Sequence, residues 1–204
     1  MIDRETSPDP ARPARARLRL TRPLVLVGLM GAGKTSVGKR LAAMLDAPFT
    51  DSDAVVESAA QMTIPEIFRL YGEPAFRDVE RRVLARLLAE TPGVLATGGG
   101  AFIEPRTREE IAAHGVSVWL RASLETLWDR VRDRPGRPLL EAPDPRGVLS
   151  ELMERRYPVY ALADVTVESR RNASHEATAR AILAGLAAHD RGRPGLPPTL
   201  EEIA

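Results

Sequence analysis

The chain predicts an α/β fold, a three-layer sandwich with a five-stranded parallel sheet between helices, and three observations carry that expectation. Short apolar runs alternate with helix-period segments, as a βαβ series requires. The runs are apolar throughout instead of every second residue, which marks strands buried on both faces. The first full run, "LVLV", passes through a glycine-rich corner, "GLMGAGKT", straight into a helical pattern.

Taken in order, strands are expected at Leu24–Gly28, in a short piece at Pro48–Asp51, and at Gly93–Thr97, Val116–Leu120 and Asp164–Glu168. Helices are expected over Lys34–Leu45, Ser52–Ala60, Ile64–Tyr71, Glu73–Ala89, Pro105–Ala113, Leu124–Val131, Arg146–Tyr160 and Ser174–Ala188. The segment "RDRPGRPLLEAPDP" breaks the alternation with proline, glycine and arginine and reads as a lid, about residues 132–146. Residues 1–22 and 190–204 mix Pro, Gly, Arg and acids without an apolar period and read as disordered tails. One domain, 23–189, lies between them, its helical part at about 52–90 placed to hold a substrate.

Composition narrows the function. At 204 residues the chain can bury a full core in one domain. No apolar run approaches the ~20 residues that cross a bilayer. The absence of cysteine excludes disulfides and thiolate chemistry and suits a reducing compartment, so a cytoplasmic protein is expected. A net charge of +1 argues against a bulk grip on nucleic acid. Of the 29 basic residues only Lys34 and Lys39 are lysines. The three histidines have no ligand spacing, and Trp119 and Trp128 fit strand and helix core.

One of those two lysines stands in the corner. Gly28, Gly33, Lys34 and Thr35 satisfy GxxxxGK(S/T) between a strand and a helix, the context that makes this pattern a phosphate site. Backbone N–H groups from Gly31 to Ser36, Ala32 among them, can turn around a phosphate at a helix N-terminus. Lys34 reaches the outer phosphates, where a fork-shaped guanidinium fits poorly, and the Thr35 hydroxyl is the expected Mg²⁺ ligand. A glycine turn without a ligand is the alternative, and the flanking strand and helix weigh against it.

What receives a phosphate must be read elsewhere. "FTDSD" sets Asp51 and Asp53 at the carboxyl edge of the next strand, where open α/β sheets bind ligands. Beside a P-loop, one carboxylate would hold the metal's waters and the other take a hydroxyl proton; an isolated pair would only cap the next helix. "TGGGAF" puts Gly98, Gly99 and Gly100 at a third strand end, where close passage of a ligand explains three glycines better than a plain turn. Arg77 with Glu80 reads, by spacing alone, as an i,i+3 surface pair. Arg137 lies in the lid, and Arg155 and Arg156 precede a proline.

Together "GLMGAGKTSVGKRLA", "FTDSD", "FRDVE", "TGGGAF", "RPLL" and "RRYPVY", in this order, resemble shikimate kinase over about residues 24–188. The resemblance implies the P-loop nucleoside-monophosphate-kinase-like fold with a mobile lid, and transfer of the γ-phosphoryl of ATP to the 3-hydroxyl of shikimate on the route to chorismate and the aromatic amino acids. It implies that Asp53 handles the acceptor hydroxyls and that Asp51 holds Mg²⁺ through water. Arg77 and Arg156 would clamp the substrate carboxylate, and Gly99 and Gly100 would line its pocket. Arg137 would neutralise the transferring group, while Arg171, and less firmly Arg132, would lie at the adenine. ATP/ADP and shikimate are the expected partners of a monomer that binds neither nucleic acid nor membrane. A kinase for gluconate or a nucleoside monophosphate, and a nucleotide-binding regulatory module without turnover, are the rival readings. The coexistence of "DSD", "GGG" and paired arginines opposes the first, and the retained Lys34 and Asp53 oppose the second.

Overall fold

The computed structural model describes residues 17–90, 92–133 and 142–203. Its centre is β2 (Leu24–Val27), fully buried and flanked on one side by β4 (Val94–Ala96) and on the other by β5 (Val116–Arg121). The outer strands are β3 (Phe49–Asp51) beside β4 and β6 (Val165–Glu168) beside β5, every pairing being parallel. The order β3-β4-β2-β5-β6 makes β2 the strand at which the winding reverses. Ligands of open parallel sheets bind beyond the carboxyl end of such a strand. The burial pattern follows: β2, β4 and the first five residues of β5 are inaccessible, whereas the edge strand β6 alternates buried and exposed.

Helices cover the sheet. α1 (Lys34–Leu45) packs on α7 (His175–Arg191), and α3 (Ile64–Ala89) packs on α2 (Ser52–Ala60) and on α4 (Pro105–His114). α5 (Leu124–Val131) meets α6 (Pro145–Tyr160), which also contacts a single 3₁₀ turn at Ala101–Ile103. The helix starts have local causes. Thr63 and Glu66 form a reciprocal capping box at α3, and Ser123, Asp144 and Ser174 cap α5, α6 and α7 through their side-chain oxygens. Gly72, at φ 78°, interrupts α3 at the point where the sequence predicts a break between two helices, and Pro74 lacks the N–H that would close the next turn. The core is aliphatic, with Leu26, Leu41, Leu84, Leu120, Ile182 and Leu186 fully buried. Truncating any of these to Ala is expected to cost about 2–5 kcal/mol.

The expected strands and helices are found with no end shifted by more than three residues, the two helices expected either side of Gly72 forming one interrupted element, but the expected tails need correction. β1 (Arg17–Leu20) pairs antiparallel with β7 (Leu200–Ile203), a two-stranded ribbon built from the inner part of one tail and the outer part of the other. Both strands are short, yet Leu20 and Thr199 are buried, and α7 continues to Arg191. Asp190 fixes the return: one carboxylate oxygen accepts from the backbone N of Thr199 (2.8 Å) and Leu200 (3.1 Å), the other from the Thr199 hydroxyl (2.8 Å). Arg19 adds an exposed ion pair to Glu201 at 2.7 Å. The lid expectation falls largely on residues outside those described; its last two residues begin α6.

Three charge-assisted bonds to one partly exposed carboxylate make Asp190 the clasp of this ribbon. Asp190→Ala is expected to lower stability by about 1–3 kcal/mol, about 2–4 °C per kcal/mol in a thermal melt. The kcat should be unchanged, since the ribbon lies apart from the sheet's carboxyl edge.

Candidate active site

The loop leaving β2 is shaped by glycines that have no alternative. Gly31 has φ 81°, and a Cβ there would meet Val131 Cγ1 at 2.7 Å and the Leu127 carbonyl at 3.1 Å. The loop is held from outside by Arg130, which donates to the carbonyls of Gly31 (3.1 Å) and Arg170 (2.9 Å) and to Ser169 Oγ (2.9 Å). Ser169 Oγ in turn donates to Ala32 O at 2.8 Å. Lys34 Nζ lies folded over the loop, donating to the carbonyls of Gly28 (2.7 Å) and Leu29 (3.1 Å). A cavity of about 400 Å³ opens above, lined by Gly31, Gly33, Lys34, Thr35 and Ser36 on the loop side and by Asp51, Asp53, Gly98 and Gly99 on the other.

Asp51 caps the helix that follows it and also bonds the phosphate loop. Its Oδ2 accepts from Thr35 Oγ1 at 2.9 Å, and its Oδ1 caps α2 by accepting from Asp53 N at 3.2 Å. Asp53 therefore starts the helix with its side chain turned to the glycines: a Cβ on Gly98 would stand 2.6 Å from Asp53 Oδ1 and 2.9 Å from Glu80 Oε1. Neither of those two buried oxygens has a hydrogen-bond partner among the described residues. Burial pushes the Asp53 carboxyl above its ordinary value, the Asp51 carboxylate adds to the rise, and the Lys34 ammonium opposes it.

A second cavity, about 560 Å³, adjoins the far end of the glycine run and is lined by Glu73, Pro74, Arg77, Gly100, Ile103, Glu104 and Arg156. Arg77 comes from α3 and Arg156 from α6, so two cations far apart in sequence face one space. Arg77 is not the surface pair that spacing alone suggests. Its guanidinium donates to Glu80 Oε2 (2.8 Å) and to Glu73 Oε1 (2.8 Å), and Glu80 is only 3 % exposed. Burial raises the Glu80 carboxyl, with Arg77 opposing and Asp53 adding to the rise. Arg156 Nη1 donates to Gly99 O at 3.0 Å, whereas Arg155 is exposed and paired with Glu151.

Of the residues expected from the sequence, Gly31, Gly33, Lys34, Thr35, Ser36, Asp51, Asp53 and Gly99 gather at the first cavity, and Arg77, Gly100 and Arg156 at the second. Ala32 is buried beneath the loop. Arg171 is 66 % exposed and bound to Asp129 at 2.9 Å, near Arg132, which pairs with Asp133 and Asp129; neither lines the first cavity. Arg137 lies outside the described residues. The sequence did not single out Arg130, Ser169 or Tyr160, and it offered Glu80 only as a surface partner of Arg77. Glu80 ends "FRDVE" and Tyr160 ends "RRYPVY", so both lay in stretches whose arginines were read; Arg130 had nothing to separate it from other arginines.

A sequence profile described as shikimate kinase matches residues 30–187. The chain is 54 % identical over 169 residues to a shikimate kinase of Mesorhizobium japonicum, covering 83 % of each protein. It is 55 % identical over 168 residues to one of Paramagnetospirillum magneticum, covering 82 % of this chain and 86 % of that one. Among solved structures it resembles the Acinetobacter baumannii shikimate kinase in complex with shikimate, with TM-score 0.78 and 38 % identity over 82 % of this chain and 93 % of that one.

The raised Asp53 carboxyl has a consequence for stability. Unfolded, Asp53 ionises near 3.8; folded, it holds its proton to higher pH, so its charged form costs stability at neutral pH and costs nothing once both states are protonated. Asp53→Asn is expected to raise Tm at pH 7, the gain shrinking as pH falls toward 3.8. Thermal melts of both proteins across that range check it.

Proposed function

The chain belongs to the shikimate kinase family, and on that premise we propose how its residues divide the work. It is an ATP-dependent kinase that phosphorylates a hydroxyl of shikimate. The roles that follow are supported by one observation above the rest: Asp53 lines the phosphate-loop cavity against Gly98, and two residues further along the same glycine run Gly100 lines the two-arginine cavity.

The loop from Gly31 to Ser36 receives the triphosphate, its N–H groups and the α1 N-terminus facing the anion. Lys34 leaves its two loop carbonyls for the outer phosphates, as a single point charge on a flexible stem can. Arg77 and Arg156 bind the shikimate carboxylate from two sides, and that anchor points the ring's hydroxyls back toward Asp53. The 3-hydroxyl oxygen then attacks the γ-phosphorus and its proton passes to an Asp53 carboxylate oxygen. The bond from γ-phosphorus to the bridging oxygen breaks, and ADP carries that oxygen away. A carboxyl made more basic by burial accepts the proton more readily. Arg137 and Arg171 are assigned to the γ-phosphate and the adenine on the sequence resemblance.

Mg²⁺ fits the residues present. Thr35 and Asp51 put a hydroxyl and a carboxylate 2.9 Å apart on the wall of the phosphate cavity, and the described residues contain no cluster of three or more ligating side chains. A cation that keeps its waters and binds phosphate oxygens suits so sparse a set. Thr35 would ligate it and Asp51 would hold one of its waters; when bound, it neutralises charge on the β- and γ-phosphates. No described helix is long and apolar enough to cross a membrane. We assign a cytoplasmic monomer.

Coupled ADP release measured with shikimate, gluconate and nucleoside monophosphates side by side should give turnover with shikimate alone, abolished by chelation and restored by Mg²⁺. Turnover with gluconate and none with shikimate would overturn the assignment. Lys34→Ala should lower kcat by at least about 10²-fold in a folded protein. Arg77→Ala or Arg156→Ala should weaken shikimate binding by roughly 2–5 kcal/mol while ATP binding holds, with Lys at either position restoring only part.

A further inference from the structure

Gly99 contributes a carbonyl that is bonded twice. Arg156 Nη1 donates to it at 3.0 Å, and the Tyr160 hydroxyl donates to the same oxygen. Residues 156 and 160 are one helical turn apart on α6, so a single helix face supplies both donors. Tyr160 is wholly buried, and its ring packs beside Trp119 and Tyr157, with centroids 6.1 and 6.3 Å away. A tyrosine hydroxyl sealed in such a cluster keeps one orientation. Burial pushes its pKa up to about 12, so it remains a donor at any pH at which the protein works.

The bond fixes more than one oxygen. A trans peptide is planar, so a pinned Gly99 carbonyl also pins the Gly100 N–H, which points the opposite way. Gly100 lies against Arg77: a Cβ added there would fall within 2.5 Å of its Nη1. The Gly99–Gly100 peptide thus stands between the two guanidinium groups, and it belongs to a three-glycine run with no side chains to hold it in place. Neither Asp53 nor Glu80 restrains it by a hydrogen bond. The Gly98 and Gly100 carbonyls accept from the backbone N of Ala101 (3.3 Å) and Ile103 (3.0 Å) in the following turn, and the carbonyl between them is held from α6.

We propose that Tyr160 is a positioning residue for shikimate: by occupying the second lone pair of the Gly99 carbonyl, its hydroxyl fixes the glycine peptide against which Arg156 and Arg77 set the spacing of their two forks. This rests on the reading that those arginines bind the substrate carboxylate. Tyr160 itself touches no substrate atom. Its influence reaches ATP weakly, because Gly99 lines the phosphate cavity on the wall opposite the phosphate loop, which is held separately by Arg130 and Ser169.

The test compares Tyr160→Phe with Tyr157→Phe, Arg156→Ala and the Tyr160→Phe/Arg156→Ala double variant, reading Tm, kcat and the KM for each substrate. Tyr157 sits in the same aromatic cluster but donates its hydroxyl to Ala122 O, away from the glycines, so it controls for loss of a buried hydroxyl. Tyr160→Phe keeps the ring and leaves Gly99 O bonded to Arg156, so the fold should persist. Its KM for shikimate should rise about 3- to 10-fold, the range of one hydrogen bond, with the KM for ATP within about twofold. Tyr157→Phe should leave both unchanged. The double variant should lose less than the product of the single losses, because Tyr160 acts through the group that Arg156 uses. An unchanged shikimate KM in Tyr160→Phe, an equal rise for ATP, an equal effect of Tyr157→Phe, or multiplicative losses would each overturn the proposal. The outcomes also separate the two claims. A loss in Arg156→Ala without one in Tyr160→Phe rejects the positioning role and leaves the clamp standing. No loss in Arg156→Ala rejects the clamp, and the proposal with it.

Discussion

Everything at this site depends on a length of bare backbone, Gly98 to Gly100, running between charges of opposite sign. At one end the Asp53 and Glu80 carboxylates stand so near the Gly98 Cα that a methyl group would strike both. At the other end the Arg77 guanidinium occupies the place of a Gly100 side chain. A phosphoryl donor and an anionic acceptor can react only if their sites touch, and any side chain along this strip would separate them. β4 brings the strip into position: the Thr97 backbone N and hydroxyl both donate to Leu26 O, at 3.2 and 3.1 Å, tying the strand's end to the head of the phosphate loop.

The two arginines are held by different means, and the difference bears on their chemistry. Arg77 is gripped by the carboxylates of Glu73 and Glu80, which fix its plane and spend part of its charge. Arg156 donates to a neutral carbonyl, so its charge is less compensated. A carboxylate entering between them meets one guanidinium that is rigid and one that is more strongly attracting. Glu80 joins this pair to Asp53. It holds Arg77 through Oε2, while its other oxygen turns toward Gly98 beside Asp53, whose charge adds to the rise that burial imposes on the Glu80 carboxyl.

The legibility of the sequence followed the range of the interactions involved. The phosphate loop could be read because its parts are contiguous, and Thr63, Ser123 and Ser174 also act locally, each on the N–H three residues on. The break at Gly72 was likewise a local property of glycine and proline. The strand order, the burial of Glu80 and the convergence of Arg77 with Arg156 are tertiary facts. No spacing within "FRDVE" distinguishes a buried pair from a solvated one. The terminal ribbon was missed for another reason. Its four-residue strands sit in stretches dominated by Pro, Gly and charge, and the closure comes from tertiary bonds that composition concealed, Asp190 to Thr199 nine residues on and Thr21 to the Thr199 carbonyl.

The lone lysine in an arginine corner follows from the same separation of duties. Arginine is used here wherever a planar fork has fixed partners: Arg130 across the outside of the loop, Arg77 between two glutamates, Arg156 on a carbonyl. Each is anchored before a ligand arrives, and a fork with several directed donors loses little by staying put. Inside the loop the demand is reversed. The ammonium holds the Gly28 and Leu29 carbonyls, and in the role proposed for it would exchange them for phosphate oxygens. That exchange needs a compact charge whose donors can rotate on a flexible chain. A guanidinium satisfied by two carbonyls would have to carry its remaining donors unpaired through that exchange, so lysine suits the place where a cation is proposed to move and arginine the places where it holds.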